Sequence, residues 1–299
     1  MTKFFKKFIY NQKAAPYIFI FPFVLIFCIF FIYPMIYTVV MSFQKILPGE
    51  NEFIGLSNYS KLFRDSVFFK AVANSFVYMV LTLVLLIPFP MLFACMINSR
   101  TMAAKEFFKA VFFLPALTSV VVAGTIFRLA FSESDSSLMN QFIQMLGFTP
   151  IKWLKMRETG FAVLLLLACW RWTGVNMLYF LSGLKNIPEE LYESADIDGA
   201  NSWAKFTKIT VPMLKPTIIY VMTISVYAGL AMFTESYMLW GGNNSPQNIG
   251  ITIVGYLYRQ GIEKNNMGYA SAVGIVLLVL AMVLNLTQLK INGLFKKED

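Results

Sequence analysis

Long apolar runs separated by short polar ones occupy nearly the whole chain, and they divide it into six candidate spans. A run of about 20 apolar residues is enough to cross the hydrocarbon core of a bilayer as a helix. The runs fall at about Ala14 to Val40, Ala71 to Ile97, Phe107 to Ala130, Phe161 to Leu184, Thr217 to Trp240 and Tyr269 to Leu289. They predict an all-α, polytopic transmembrane fold with six spanning helices: a tail over residues 1–13, then a single membrane domain over 14–299. The first run is too long for a signal peptide and lacks a small-residue cleavage site. Pro22 and Pro34 imply kinks or an early end there, and Pro88 and Pro90 must distort the second half of the second span. Of the polar segments, Gln44 to Lys70 and Phe131 to Gly160 read as external loops, the latter with a short helix near Leu138 to Leu146.

The longest charged interruption late in the chain is Ile187 to Pro212, within a loop bounded at 186–213. Pro188 suits a first helical position, and Glu189 and Glu190 follow where carboxylates favour a helix N-terminus. At helical spacing Glu189, Glu193 and Asp196 share one face, with Leu191 and Ala195 on the other. Gly199 ends the run. A second segment from Ser202 sets Trp203 and Phe206 on one side and Lys205 and Lys208 on another, until Pro212 breaks it. The pattern is a helix, a glycine turn and a second helix, set between spans.

Composition agrees and narrows the function. With 58% hydrophobic and 14% charged residues in 299, and a mean hydropathy of +0.63, the chain is too apolar for a soluble domain. The formal charge of +9 does not indicate nucleic acid, because the basic residues are scattered between apolar runs; they read as loops that set topology and touch anionic lipid. Cys28, Cys95 and Cys169 all lie in apolar runs, which argues against a disulfide or a metal site. The absence of histidine removes the commonest general base and zinc ligand. With no nucleophile beside a base either, a membrane enzyme is disfavoured and no catalytic residue is assigned. No GxxxxGK[ST] phosphate loop is present, so any energy from ATP must come through another chain, and no cofactor is expected in this one.

Six spans put both termini on one side of the membrane. Lys3, Lys6, Lys7 and Lys13 before the first span, and Arg100, Lys105 and Lys109 between the second and third, place that side in the cytoplasm, with Lys290, Lys296 and Lys297 in the tail. The same topology puts the 187–212 loop in the cytoplasm. Inside the membrane, Glu235 in the fifth span is costly unless it lines a cavity or finds a partner, and Arg171 in the fourth is the available opposite charge.

Two stretches resemble a known family. Glu193-Ser194-Ala195, three residues, Gly199, nine residues, Ile209, one residue and Val211-Pro212 resemble the EAA loop (Glu-Ala-Ala, x3, Gly, x9, Ile-x-Leu-Pro) of membrane subunits of binding-protein-dependent ABC importers. Ser194 replaces Ala and Val211 replaces Leu. The flanking Ile187-Pro188-Glu189-Glu190-Leu191-Tyr192-Glu193 and Asp196-Ile197-Asp198-Gly199-Ala200 look like the carbohydrate-importer branch, and Phe53-Ile54-Gly55-Leu56-Ser57-Asn58-Tyr59 resembles its F-x-G-L-x-N-Y run. The resemblance implies a permease subunit in a prokaryotic plasma membrane, forming half of the pathway for a sugar, an oligosaccharide or glycoside. It implies a second related permease as heterodimer partner, two ATPase subunits and an external solute-binding protein.

By the same resemblance the loop is a coupling helix that docks on the ATPase, with Glu193, Ala195 and Gly199 as motif residues and Glu189, Glu190, Ser194, Asp196 and Asp198 around them. The competing reading is an amphipathic loop resting on lipid headgroups, which its acidic face opposes. For a sugar path, aromatic faces and planar polar groups are wanted, and Arg171, Trp172, Asn176, Glu235, Tyr237 and Trp240 offer them. The competing reading there is a purely structural Arg171–Glu235 ion pair, or an Arg171 that ends a span near the headgroups. Tyr237 to Pro246 resembles the external Y-x-L-T-x-G-G-P run, with Trp240 at or beside the Thr position and the Pro displaced to Pro246; an ordinary Gly/Asn turn is the alternative. The other functional class left open is an ion-coupled secondary transporter using Glu235.

Overall fold

A computed structural model of the protein describes residues 15–99 and 101–293. The lysines of the expected N-terminal tail, Arg100 of the expected basic hinge, and Lys296 and Lys297 of the C-terminal tail lie outside them. Two compact units are present: the chain before Asp65 together with Gln260–Ile275, and Asp65–Arg259 together with the chain from Val276 onward.

In the first unit, helix α1 (Pro16–Ser42) runs through both prolines without ending early. A π-helical turn at Cys28–Ile32 precedes Pro34 and takes up the change in backbone pairing. A short hairpin follows, β1 (Gln44–Leu47) against β2 (Glu50–Phe53), the one sheet among the described residues. Pro48 and Gly49 occupy its turn, with Gly49 at φ +84° as the third position of a type II turn requires. The Asn58 amide, in α2 (Ser57–Leu62), donates to the Ser42 and Gln44 carbonyls at 2.9 Å each, and the Tyr59 hydroxyl donates to Ser42 Oγ at 2.7 Å. The polar run after the first span is thus a fastening at the end of α1.

The second unit carries the bundle. α3 (Ser66–Leu86) starts five residues before the expected Ala71, because Asp65 caps it, its Oδ1 accepting from the Val67 and Phe68 amides at 2.8 and 3.2 Å. The expected distortion falls at Ile87, and α4 (Pro88–Asn98) completes the span. The third span is not continuous. α5 (Lys105–Leu117) and α6 (Val120–Ala130) meet at 92°. Pro115 removes a helical donor, and Thr118 and Ser119 adopt extended ψ values of 133° that no helix can carry. α7 (Leu138–Met145) is the expected short helix, with Ser137 Oγ accepting from the Asn140 amide. α8 (Arg157–Leu184) follows, longer than expected by one turn at its start.

After the loop helices α9 (Glu190–Ile197) and α10 (Ser202–Met213) comes α11 (Lys215–Leu230), bent 66° from α10. Pro212 does not break α10. A π-helical turn at Phe206–Thr210, with the Val211 amide reaching the Phe206 carbonyl, carries the helix through the missing donor, and the bend comes at Leu214, before Pro216. The fifth span also ends earlier than expected: helix stops at Leu230, Ala231–Phe233 interrupt it, and α12 (Thr234–Trp240) resumes. α13 (Ile253–Tyr258) and α14 (Met267–Ile291) complete the chain. Among the described residues four helices are long and apolar enough to span singly, and up to six spans result if each bent pair counts once.

Lipid gives no hydrophobic drive for helices to associate, so close packing must supply it, and small residues allow it. α8 is central: it packs on α3, α4, α5 and α11. A Cβ at Gly174 would collide with the backbone of Phe112 in α5, so glycine is what lets these two helices touch. The first half of α8 joins a core with Tyr78, Phe131, Met232 and Leu239, and its second half another with Met91, Ala94, Ile97, Leu214 and Val221. Between these two cores, midway along α8, lies the cavity described next.

Candidate functional site

The cavity measures about 280 Å³. α3 supplies Tyr78, Thr82 and Leu86, α8 supplies Trp172 and Asn176, and the end of α11 with the interruption and the start of α12 supplies Ile224 to Glu235 in part. The interruption of the fifth span makes this possible. In a continuous helix Glu235 would follow the direction set by α11; after the break it sits in the first turn of a new short helix, on the cavity wall.

Arg171 and Glu235 form the ion pair that two isolated charges in apolar runs demanded, Nη1 to Oε1 at 3.2 Å, with side chains 11% and 15% exposed. The guanidinium also lies over the Trp172 ring, Cζ 5.3 Å from its centre, and its Nη2 comes within 3.5 Å of the Thr118 carbonyl at the break of the third span. One side chain therefore touches both interrupted spans. Asn176 has a structural task as well. Pro90 has no N–H, which leaves the Leu86 carbonyl without its helical donor, and Asn176 Nδ2 donates to that carbonyl at 2.8 Å.

Of the six expected pathway residues, Trp172, Asn176 and Glu235 line the cavity and Arg171 backs it. Tyr237 and Trp240 are elsewhere. Tyr237 packs with Phe233 and Tyr258, ring centres 5.2 and 5.7 Å away, and Trp240 Nε1 donates to the Leu154 carbonyl at 2.9 Å within the first core. Tyr78 and Thr82 were not anticipated. Their signal was present: Asn74, Tyr78 and Thr82 recur every four residues, a polar stripe on an otherwise apolar helix.

The Gly/Asn-rich run after Trp240 is a built element and not a loose turn. Asn74 Nδ2 is shared by the carbonyls of Asn248, Ile249 and Ile251 at 3.0 to 3.1 Å, the Ser236 hydroxyl donates to the Gly250 carbonyl, and Arg259 holds Asn248 Oδ1 and the Asn243 carbonyl.

The 187–213 loop is closed on itself. Gly199, at φ +74°, and Ala200 end α9 with paired bonds, the Gly199 amide to the Asp196 carbonyl at 3.1 Å and the Ala200 amide to the Ala195 carbonyl at 2.9 Å. Asn201 Oδ1 then caps α10 at the Ala204 amide. The Lys205–Asp196 ion pair at 2.6 Å and the Tyr192–Thr210 hydroxyl pair at 2.8 Å clip the two helices together. Glu189, Glu193 and Asp196 do share a face, as their spacing predicted, but they line a pocket of about 350 Å³ with Lys205 of α10 and Asn98 and Ser99 at the end of α4. Glu190, Leu191, Ser194, Ile197 and Asp198 are not part of that lining, Ile197 and Trp203 being 88% and 70% exposed, while Glu189, Glu193 and Asp196 themselves stay exposed at the pocket's edge. Ala195 is half-buried.

Residues 66–293 match the family described as binding-protein-dependent transport system inner membrane component. Over 289 residues, 97% of this chain and 92% of the relative, the chain is 54% identical to the arabinooligosaccharides transport system permease protein AraP of Bacillus subtilis (strain 168). It is 30% identical to the lactose transport system permease protein LacF of Rhizobium radiobacter, over 91% of this chain and 92% of that one. Among solved structures, a chain of a bacterial ABC transporter involved in the import of the acidic polysaccharide alginate superposes with a TM-score of 0.86 at 25% identity, covering 99% of this chain and 100% of that one.

Proposed function

The chain belongs to the family of inner membrane components of binding-protein-dependent transport systems, and from that premise we propose that it is one permease subunit of an ATP-driven importer of arabinose-containing oligosaccharides. It is a multi-pass membrane protein and not an enzyme; ATP is bound and hydrolysed by partner chains, and this chain needs no cofactor of its own. It works with a solute-binding protein and with partner permease and ATPase subunits. In the finer reading, a second related permease completes the pathway as a heterodimer, two ATPase subunits sit on the cytoplasmic side with both termini of this chain, and the cavity beside Glu235 is half of the sugar path.

The observation that carries this reading is the loop's division of labour. Its acidic face borders a pocket shared with its own second helix and α4, and the clips hold the two helices as one body, while Ile197, Trp203 and Leu191 present exposed apolar surface, Trp203 with its ring stacked on Phe206 of the same helix. Exposed aromatic and aliphatic anchors on a preorganised element suit a partner groove. Closure of the ATPases on ATP would move this body, and through the π-turn and the bend at Leu214 it would move α11 and the cavity wall. The ion-coupled alternative has less support: its carboxylate is ion-paired, and the relatives are permeases of another transport class.

The test is uptake of radiolabelled arabinotriose by cells lacking this gene. Wild-type protein should restore uptake, and an Ile197→Asp/Trp203→Asp double variant should insert normally yet fail both to retain the ATPase on purification and to transport. Uptake that survives loss of the ATPase but collapses with an uncoupler would overturn the proposal.

A further inference from the structure

The cavity discriminates by charge, an inference that rests on the sugar reading above. Glu235 is the one charged residue among those described as lining it. Arg171 holds Oε1 from behind; it is 9% exposed and is not part of the wall, and its Nε is buried without a hydrogen-bond partner among the described residues. Oε2 has no hydrogen-bond partner among the described residues, so a solute meets a carboxylate oxygen and not the guanidinium that balances it. The neutral groups nearby are mixed, since the Trp172 indole N–H and the hydroxyls of Tyr78, Ser225 and Thr234 also line the cavity and can donate. The Asn176 amide already donates to Leu86, and the Thr82 hydroxyl donates to the carbonyls of Tyr78 and Met79 at 2.9 Å. Thr82 is left as an acceptor, and Asn176 keeps its carbonyl oxygen and one N–H.

A fixed carboxylate in a site of low dielectric favours a solute that brings donors and repels one that brings negative charge. We infer that Glu235 is a specificity-determining residue. It admits uncharged, hydroxyl-rich sugars and turns away carboxylated ones, and Arg171 is the positioning residue that fixes its carboxylate. The filter acts within the membrane path, separately from whatever selection occurs before the sugar reaches it.

The experiment uses the assembled transporter, this chain with its partner permease and ATPase, in nanodiscs and without binding protein. Calorimetry measures binding of arabinotriose and of a trisaccharide ending in a uronic acid. The wild-type complex should prefer the neutral sugar by about tenfold or more. Glu235→Gln leaves the Arg171 charge unbalanced and should reverse the preference; Glu235→Gln with Arg171→Met removes both charges and should bring the ratio to about one. The double variant buries no unpaired charge, so it decides the matter if the single variant fails to assemble. A ratio in the double variant equal to that of the wild type, or wild-type binding of both sugars alike, overturns the filter alone. A wild-type complex that binds neither sugar overturns the sugar reading and the filter with it.

Discussion

Helices α1 and α8 are both long enough to cross a bilayer, yet they differ in opposite directions on two scales. The most apolar window of α1 has a mean hydropathy of 2.6 and none of it is buried within the protein; that of α8 has 1.5 and is 44% buried. The more apolar helix is the less engaged one. Lipid satisfies an apolar side chain as well as a protein neighbour does, so hydropathy reports membrane residence, while glycine, asparagine, arginine and serine within a span report contact with other helices. α8 contains Gly174, Arg171 and Asn176, and each has a partner that no stretch of leucine could serve.

Four substitutions sharpen that contrast. Gly174→Leu places a side chain on the Phe112 backbone and should leave no monodisperse protein after detergent extraction, as size-exclusion chromatography would read; recovery of a normal peak would refute the close α5–α8 contact. Arg171→Met leaves a largely buried carboxylate unpaired and should cost about 3 kcal/mol, seen as a large fall in thermal unfolding temperature. Asn176→Leu frees the Leu86 carbonyl within the membrane and should cost about 1 kcal/mol, a smaller fall in the same assay. Phe23→Leu, on a side chain 70% exposed in α1, should change unfolding by less than about 0.5 kcal/mol. An effect of Phe23→Leu as large as that of Asn176→Leu would erase the distinction between the two helices.

The spans themselves were legible in the sequence, because a run of about 20 apolar residues has few other readings. The Arg171–Glu235 pair was legible for a related reason: a charge in hydrocarbon must find its opposite, and few were available. The breaks were not. Pro115 and the Thr118-Ser119 pair marked one, but an averaged hydropathy passes over two extended residues. The interruption at Ala231–Phe233 contains no proline or glycine, and what replaces continued helix there is distant in sequence: Arg171 for Glu235, the Gly250 carbonyl for Ser236. Tyr237 and Trp240 were grouped with Glu235 for the aromatic and polar chemistry a sugar wants, but they follow it by two and five residues on the same short helix, a spacing that turns them to other faces. In the loop, the caps and the Gly199 turn followed from residue type, and the acidic face followed from spacing. Which way that face points depends on Lys205 and Thr210, which local periodicity cannot weigh.

The Asn176 bond to the Leu86 carbonyl has a genetic consequence. Pro90 creates the unmet acceptor and Asn176 answers it, so the two residues form a single lesion and repair written into different spans. Restoring the amide by Pro90→Ala makes the asparagine dispensable. A transport defect caused by Asn176→Leu should therefore yield suppressors at Pro90, a position that does not touch the cavity.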